Sequence, residues 1–415
     1  IQHKALNEKH LKISEKFNTL TPYNMHNLKS KTSYPFGVVT GGIPSSVVQD
    51  LFEEYERIDI PILKLGAPYP FPEKLADEFM DACDKVLVIE ETDTVIEYML
   101  RDKRKTLGRL SGHVPMEGEL VPEKIEIVLN KALGDCGLAP LSDSDNGLEA
   151  FDLVGGLELP IRKPTLCPGC PHRASFYSIR KALPKAIFPS DIGCYTLGSN
   201  LGVVDTVLDM GAGITMASGF WNAYIQDDVK KPIVATMGDS TFFHSGTTGL
   251  INAVYNDSRF LLVILDNHIT AMTGMQPSIT QGDRVDGRKG NPISLETIVK
   301  GCGVDYIKVL DPYDTKNMIQ EVKDAYAHVN DPDGGIAVII SRHPCVIGFK
   351  ETAIPEKIEV LVTEDCDDCG FCHLRFECPA MVRNEETEKT EINPVLCVQC
   401  GVCLQICPKD AVEKV

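Results

Sequence analysis

The chain has 415 residues, of which 43% are hydrophobic and 24% are charged. This length accommodates two to four domains, and the composition is that of ordinary globular proteins. The formal net charge of −18 disfavours nucleic acids and anionic membranes as partners, because both repel an acidic surface.

The N-terminal residues and the cysteines bear on the cellular compartment. No apolar run approaches the ~20 residues that cross a bilayer, and Ile1 to Lys4 do not begin a secretion signal. We therefore expect a cytoplasmic protein. Eight of the 15 cysteines fall in two short clusters near the C-terminus, which indicates metal binding rather than disulfides.

The first third of the chain alternates short apolar strands with amphipathic helices. Residues 1–32 are polar and weakly helical, and we interpret them as a connector. Strands are predicted at 36–39, 60–64 and 85–89, and helices at 45–55 and 72–83. This alternation indicates a parallel sheet with helical crossovers, here assigned to a first α/β domain, 33–150. A linker rich in Gly, Asp, Ser and Pro is predicted from about 131 to 160, including Leu141 to Gly147.

A second alternating segment, 151–350, has longer apolar strands. Residues 233–237, 260–265 and 336–340 are continuous apolar runs, as is typical of parallel strands buried on both faces. The composition then changes to Cys, Pro and charged residues, which marks a third, small domain at 351–415. The predicted fold class is α/β, with two open parallel-sheet domains ahead of this small domain.

The third domain contains two similar cysteine motifs. One consists of Cys366, Cys369, Cys372 and Cys378, and the other of Cys397, Cys400, Cys403 and Cys407; the last Cys of each precedes Pro. In two-cluster ferredoxins three evenly spaced thiolates bind one [4Fe-4S] cluster, and the Cys before Pro binds the other. Cluster one is therefore predicted on Cys366, Cys369, Cys372 and Cys407. Cluster two is predicted on Cys397, Cys400, Cys403 and Cys378.

Zinc is the alternative for these cysteines, because CxxC pairs also form zinc ribbons. A pair of zinc sites leaves the third evenly spaced Cys and the trailing Cys-Pro of each motif without a role. The first motif has five residues, His373 to Glu377, between its third and fourth Cys, where bacterial ferredoxins have three. We expect this insertion to lengthen a loop without removing a ligand.

A second set of polar residues follows the apolar strands of the middle domain. Gly238, Asp239 and Ser240 come after one strand, and Asn267 ends the next. Open α/β sheets bind ligands at the carboxyl ends of such strands, and a magnesium ion there can bridge a diphosphate. The spacing resembles the thiamine diphosphate motif. That resemblance implies Asp239, Asn267 and the carbonyl of Ile269 as Mg²⁺ ligands, with Ser240 where Gly is usual.

Two earlier segments strengthen this resemblance. Cys167 to His172 reads CPGCPH, and Asp191 to Cys194 reads DIGC. Both are similar to the cofactor-side segments of 2-oxoacid:ferredoxin oxidoreductases, which implies a place near the cofactor for Cys167, Cys170, His172, Gly193 and Cys194. Other interpretations remain: Cys167 and Cys170 as a redox dithiol or half a zinc site, His172 as a structural histidine, and Cys194 as a buried thiol. The isolated Cys83, Cys136, Cys302 and Cys345 are interpreted as core residues.

From about residue 34 to 415 the chain resembles the α subunit of indolepyruvate:ferredoxin oxidoreductases. Thr40 to Pro44 and Pro68 to Lys74 carry the resemblance, together with the thiamine and ferredoxin segments. It implies a transketolase C-terminal-like first domain and an enzyme that decarboxylates aryl 2-oxoacids on thiamine diphosphate. The electrons pass singly through two [4Fe-4S] clusters to ferredoxin, and coenzyme A takes the acyl group. A smaller second subunit is the implied partner.

One part of the family pattern is not found in this sequence. The family supplies the Glu that activates the cofactor from an N-terminal pyrimidine-binding domain, so no catalytic residue is named here. A pyrimidine-binding domain or chain is the expected partner. Two other functions remain open: another 2-oxoacid:ferredoxin oxidoreductase subunit, and a non-catalytic electron carrier or scaffold.

Overall fold

The computed structural model describes residues 2–19, 21–29, 33–141, 153–157 and 163–415. The chain divides into two compact units, Ile1–Pro160 and Ile161–Val415. The division falls within the predicted linker, of which residues 142–152 and 158–160 lie outside the described residues.

The first unit is built on a five-stranded sheet. Its strands are β1 (Asn24–His26), β2 (Tyr34–Thr40), β3 (Ile62–Leu65), β4 (Cys83–Ile89) and β5 (Thr106–Leu107). Its helices are Gln2–Phe17, Ile43–Glu54, Glu73–Ala82, Ile96–Met99 and Pro122–Asp135. The strand order is β1-β3-β2-β4-β5, and every neighbouring pair is parallel except β1 with β3. The predicted parallel α/β architecture is therefore confirmed.

Two boundaries of the first unit differ from the sequence prediction. The predicted connector contributes strand β1, because buried Asn24 exchanges two side-chain hydrogen bonds with the backbone of Ala67, at 3.0 and 3.1 Å. The predicted linker begins too early, because helix Pro122–Asp135 continues into it and buries Ala132 and Leu133 completely. In both places long-range contacts order a segment whose local composition indicated a loop.

The second unit contains a six-stranded sheet. In chain order, the strands of the unit begin with β6 (Pro189–Ser190), β7 (Thr206–Val207), β8 (Val234–Gly238), β9 (Leu261–Asp266), β10 (Ile269–Thr270), β11 (Gln276–Pro277), β12 (Tyr306–Leu310) and β13 (Ala337–Arg342). The sheet order is β12-β13-β9-β8-β6-β7 with parallel pairs throughout, and β10 and β11 form a separate antiparallel pair. The helices are Pro171–Ala182, Ala212–Gln226, Asp239–Thr241, Thr247–Tyr255, Leu295–Gly301 and Thr315–Asn330, with a 3-10 helix at Cys194–Ser199 and a π-helix at Phe242–Gly246.

Strand β9 lies at the centre of this sheet and is buried over its whole length. Leu262 and Ile264 pack in the core that includes Ile214 and Ala217 of helix Ala212–Gln226. Alternate residues such as Val263 point to the opposite face and pack in a second core, with helix Thr315–Asn330. Because both faces are covered, the strand is continuously apolar, as its sequence indicated.

The C-terminal part of the second unit contains two small two-stranded antiparallel sheets. Its elements are β14 (Val360–Val362), a π-helix (Phe371–Arg375), β15 (Met381–Asn384), β16 (Lys389–Ile392), helix Cys403–Ile406 and β17 (Val412–Lys414). Strand β14 pairs with β17, and β15 pairs with β16. This part packs on the preceding sheet domain through a buried cluster formed by Ala174, Phe376, Val402 and Ile406. Among the described residues no helix is both long and apolar enough to cross a membrane.

The central strand gives a stability prediction. Leu262→Ala should lower the free energy of unfolding of the second unit by about 2–5 kcal/mol, because it removes a fully buried side chain and leaves a cavity. Urea denaturation followed by fluorescence of Trp221, the chain's one tryptophan, measures this. Tyr255→Ala, at an 85% exposed position, is the matched control. Equal midpoints for the two variants would contradict the predicted packing.

Candidate functional site

The carboxyl ends of adjacent parallel strands bring most of the predicted cofactor residues together. Asp239 and Ser240 follow β8, Asn267 follows β9, and Asp191 to Cys194 follow β6. One cavity of about 110 Å³ is lined by the predicted residues His172, Gly193, Cys194, Gly238, Asp239, Ser240, Asn267 and Ile269. We call it the thiamine cavity. Its position agrees with the rule that open α/β sheets bind ligands at the carboxyl edge.

Asp239 is a buried acid in this cavity. Its side chain is 2% exposed, and its Oδ2 accepts hydrogen bonds from Ser278 at 2.5 Å and from Thr280 at 3.4 Å. Burial and the nearby charge of Asp266 raise the pKa of Asp239 to about 7. Burying a carboxylate without a positive partner costs free energy, so Asp239 is suited to bind a cation.

The neighbouring acid, Asp266, is fully paired. Arg342 Nε donates to one of its oxygens at 2.6 Å, and His268 Nδ1 lies 3.2 Å from the other. Burial acts to raise the pKa of Asp266, but the hydrogen bonds and charges of His268 and Arg342 outweigh it and hold that pKa below its usual range. Asp266 therefore remains ionised as a structural group, and Asp239 is the acid left for a metal.

Asn267 and His172 form a second polar pair in the cavity. Asn267 Nδ2 lies 3.3 Å from His172 Nε2, and its Oδ1 accepts from the backbone N–H of Ile269 at 3.2 Å. Burial lowers the pKa of His172 to about 4, so the imidazole is neutral at pH 7. A neutral imidazole, an amide oxygen and a buried carboxylate are compatible with a magnesium–diphosphate ligand.

Tyr195 is a cavity residue that sequence analysis missed. Its hydroxyl donates to the carbonyl of Ile192 at 2.9 Å and lies 3.2 Å from Thr241 Oγ1. A Cβ atom on Gly193 or Gly238 would lie 2.6 Å from its ring, so the motif glycines are needed for this close packing. The sequence signal for Tyr195 was its position directly after Cys194. The sequence contained no comparable signal for Thr241 or Ser278.

The Gly211-Ala212-Gly213 segment begins helix Ala212–Gln226 beside the cavity. Gly211 has a φ of +110°, and its N–H donates to buried Asp191 at 2.7 Å. Burial raises the pKa of Asp191 to about 6, although hydrogen bonds from the N–H groups at this helix start oppose that shift. Gly213 lies close to the backbone of β8 and β6, and a Cβ atom added to it would lie 3.0 Å from the Thr236 carbonyl oxygen.

The two antiparallel strand pairs explain how the eight C-terminal cysteines group. Cys366 follows β14 and Cys407 precedes its partner β17, so strand pairing brings them to the same end. Cys378 precedes β15 and Cys397 follows β16 in the same way. One cavity is lined by Cys366, Cys369, Cys372 and Cys407, and another by Cys378, Cys397, Cys400 and Cys403. These are the two sets predicted for clusters one and two.

The backbone around the two motifs is also equivalent. Asp368 and Gly370 in the first motif, and Gln399 and Gly401 in the second, have φ between +50° and +72°. Among the described residues no group of three or more His, Cys, Asp or Glu converges on a single ion-sized point. Four thiols around each cavity, within two loops that turn in the same way, fit a cubane, in which each thiolate binds a different iron.

The CPGC segment is placed differently from the other predicted cofactor residues. Cys170 lines the cavity of cluster two rather than the thiamine cavity, and Cys167 is exposed. Burial, and after it the charges of Cys345 and Cys167, raise the pKa of Cys194. Cys345, predicted as a core residue, is 8% exposed but follows β13 at the same sheet edge. Thiols therefore line both cavities, Cys194 the thiamine cavity and Cys170 the other. Of the remaining isolated cysteines, Cys83 and Cys302 are buried and Cys136 is half-buried.

Comparisons with known proteins agree with this division of the second unit. Residues 191–339 match the family model described as "Thiamine pyrophosphate enzyme, C-terminal TPP binding domain", and residues 390–413 match "4Fe-4S binding domain". The chain is 39% identical over 386 residues to "Indolepyruvate oxidoreductase subunit IorA" of Archaeoglobus fulgidus, covering 91% of this chain and 59% of that protein. The protein of the same name from Thermococcus kodakarensis is 36% identical over 433 residues, covering 99% and 65%.

The resemblance to that subunit family is confirmed. The chain spans less than two thirds of the length of these relatives, with 59% and 65% covered. Among solved structures, a 2-oxoglutarate:ferredoxin oxidoreductase from Magnetococcus marinus is 22% identical, with a TM-score of 0.38, and covers 46% of this chain and 66% of its own. That superposition is loose, and the resemblance to the subunit depends on the sequence relatives.

The strand pairing predicts a crossed effect of one cysteine. Cys378→Ala should disturb the cluster held by Cys397, Cys400 and Cys403, because it lines their cavity and not that of its sequence neighbours. Iron content and electron paramagnetic resonance (EPR) spectra of the anaerobically purified variant measure this. Cys302→Ala, outside both cavities, serves as the control. Selective loss of the cluster at Cys366 would show that the assignment is wrong.

Proposed function

We propose that this chain is the thiamine- and cluster-bearing part of an oxidoreductase that acts on aryl 2-oxoacids of the indolepyruvate type. The reaction converts the 2-oxoacid and coenzyme A to acyl-CoA and carbon dioxide, and two electrons leave singly for ferredoxin. The substrate class is supported by the name of the relatives, "Indolepyruvate oxidoreductase subunit IorA". Another 2-oxoacid remains compatible with the site.

In this proposal the thiamine cavity holds the diphosphate end of thiamine diphosphate. Asp239, Asn267 and the Ile269 carbonyl would bind Mg²⁺, and Ser240 supports this turn by accepting a hydrogen bond from Thr270 at 2.7 Å. When bound, the cofactor supplies the decarboxylation chemistry. The chain's own residues orient it: His172 is held neutral beside Asn267, and the ring of Tyr195 closes the wall beneath Gly238.

One observation carries the proposal of electron transfer: consecutive residues line the two cavities. His172 lines the thiamine cavity, and Arg173 lines the cavity of Cys378, Cys397, Cys400 and Cys403. The first turn of helix Pro171–Ala182 therefore borders both cavities. The thiols of Cys194 and Cys170 border the same route. A carrier with no thiamine chemistry would not need the buried acid of the first cavity.

Several partners belong to this proposal. They are the smaller second subunit, a pyrimidine-binding domain or chain that supplies the activating Glu, ferredoxin and coenzyme A. A cytoplasmic location and an anaerobic setting are further expectations of the same scheme. None of these needs a nucleic acid or a membrane.

An anaerobic reduction experiment separates the enzyme from the carrier. The chain, assembled with its second subunit and with the pyrimidine-binding domain or chain, is mixed with thiamine diphosphate, Mg²⁺, coenzyme A and indolepyruvate, and cluster absorbance is recorded. We expect the 2-oxoacid to bleach the clusters and to drive reduction of a viologen dye. Bleaching by dithionite but by no 2-oxoacid would identify an electron carrier instead.

Asp239→Ala tests the metal and cofactor site. We expect it to abolish retention of thiamine diphosphate and turnover of 2-oxoacid, because the buried carboxylate ligand is lost, while iron content stays unchanged. Equilibrium dialysis of the cofactor and iron analysis measure the two effects. Asp305→Ala removes an exposed acid before β12, at the opposite edge of the sheet, and should change neither. Unaltered cofactor affinity in Asp239→Ala would rule out the thiamine assignment.

A further inference from the structure

Arg173 is a buried cation beside the cavity of cluster two. It is 2% exposed and belongs to helix Pro171–Ala182. Its Nη2 donates to the carbonyl of Leu166, but its Nε and Nη1 have no hydrogen-bond partner within the part of the chain that the structure describes. A buried guanidinium with two unsatisfied donors is costly, and such groups normally have an acceptor.

The charges around Arg173 indicate what that acceptor is. Among the described residues no carboxylate forms an ion pair with it at 4.0 Å or less. Burial lowers its pKa, and the charges that oppose this belong first to Cys170 and Cys378 and then to Glu377. Its other neighbour is the Phe376 ring, with the guanidinium carbon 5.9 Å from the ring centroid. The groups that interact with the guanidinium most strongly are therefore cysteine sulfurs, one of them a predicted ligand of cluster two.

We propose that Arg173 is a positioning residue that raises the reduction potential of cluster two, through its positive charge and its free N–H donors toward the cluster's sulfur atoms. The inference rests on the proposed assignment of Cys378, Cys397, Cys400 and Cys403 as the ligands. Reduction adds one electron, and hence one negative charge, to the cluster. A fixed cation stabilises the reduced form more than the oxidised form, and hydrogen bonds to sulfur act in the same direction.

This role has a consequence for the direction of electron flow. The thiamine cavity is next to cluster two, because His172 and Arg173 are adjacent on one helix. A raised potential makes cluster two the favoured first acceptor for each electron from the substrate. The cavity of cluster one is lined by other residues, including Lys409 and Thr390, and Arg173 is not among them.

The test is a redox titration of the assembled oxidoreductase with dithionite, monitored by EPR. At the potential where half of cluster two is reduced in the unaltered protein, Arg173→Gln should lower the ratio of reduced to oxidised cluster two by about tenfold, or about 59 mV for one electron. Arg173→Lys keeps the charge and should shift the ratio less. Cluster one should be unchanged in both variants, and the signal of cluster two is identified by its loss in Cys397→Ser.

Arg180→Gln is the matched control. Arg180 lies on the same helix and donates to the carbonyl of Gly202 at 3.0 Å, but it is exposed and does not line the cluster cavity. An unchanged potential of cluster two in iron-replete Arg173→Gln overturns the proposal, as does an equal shift of both clusters. Dithionite supplies the electrons, so the result is independent of whether the protein oxidises 2-oxoacids.

A second measurement needs no variant and remains decisive if Arg173→Gln fails to load cluster two. The unaltered protein is labelled with ¹⁵N-arginine, and pulsed EPR of reduced cluster two is recorded. A ¹⁵N coupling is expected from the guanidinium donors at the sulfur atoms. Absence of any arginine nitrogen coupling to cluster two would overturn the proposed contact.

Discussion

The parallel pairing of β6, β8, β9 and β13 determines where Asp239 and Asn267 of the thiamine cavity lie. Each strand is buried on both faces, so its polar residues collect where the strand ends. Parallel strands end at the same edge, and segments that are distant in sequence therefore meet there. As a result, the buried carboxylates of Asp239 and Asp266 lie close together. Arg342 and His268 pair only with Asp266.

The helix that begins at Pro171 connects this edge to the ferredoxin-like part. Its first turn carries a neutral imidazole toward one cavity and a guanidinium toward the other. The interface is held by apolar contacts of Ala174 with Phe376 and Val402, and by Gln405, which accepts from the N–H and hydroxyl of Thr315. Tyr313 adds a hydrogen bond to the Gly169 carbonyl. Several independent contacts therefore hold the two cavities at a fixed separation, as the proposed electron transfer between them would require.

The two antiparallel strand pairs give the ferredoxin-like part its internal symmetry. Each motif has left-handed residues two and four positions after its first cysteine, so each loop turns around its cavity in the same way. Gly169, two positions after Cys167, has a φ of +68° and repeats the first of these turns. The longer spacing before Cys378 is taken up by the π-helix Phe371–Arg375, and Cys378 still lines the second cavity. An insertion in one loop thus leaves the grouping of the thiols intact.

The sequence by itself determined the strand and helix pattern, the two cysteine motifs and the acid and amide at the ends of β8 and β9. These features depend on neighbouring residues, through apolar periodicity and local ligand spacing. Only the tertiary structure decided that Asn24 orders an edge strand, that Cys345 lies at the same sheet edge as Cys194, and that Tyr195 and Arg173 line cavities. A side chain such as Arg173 is recognisable only once elements distant in the sequence have enclosed it, because burial and unpaired donors are properties of the folded surroundings rather than of local sequence.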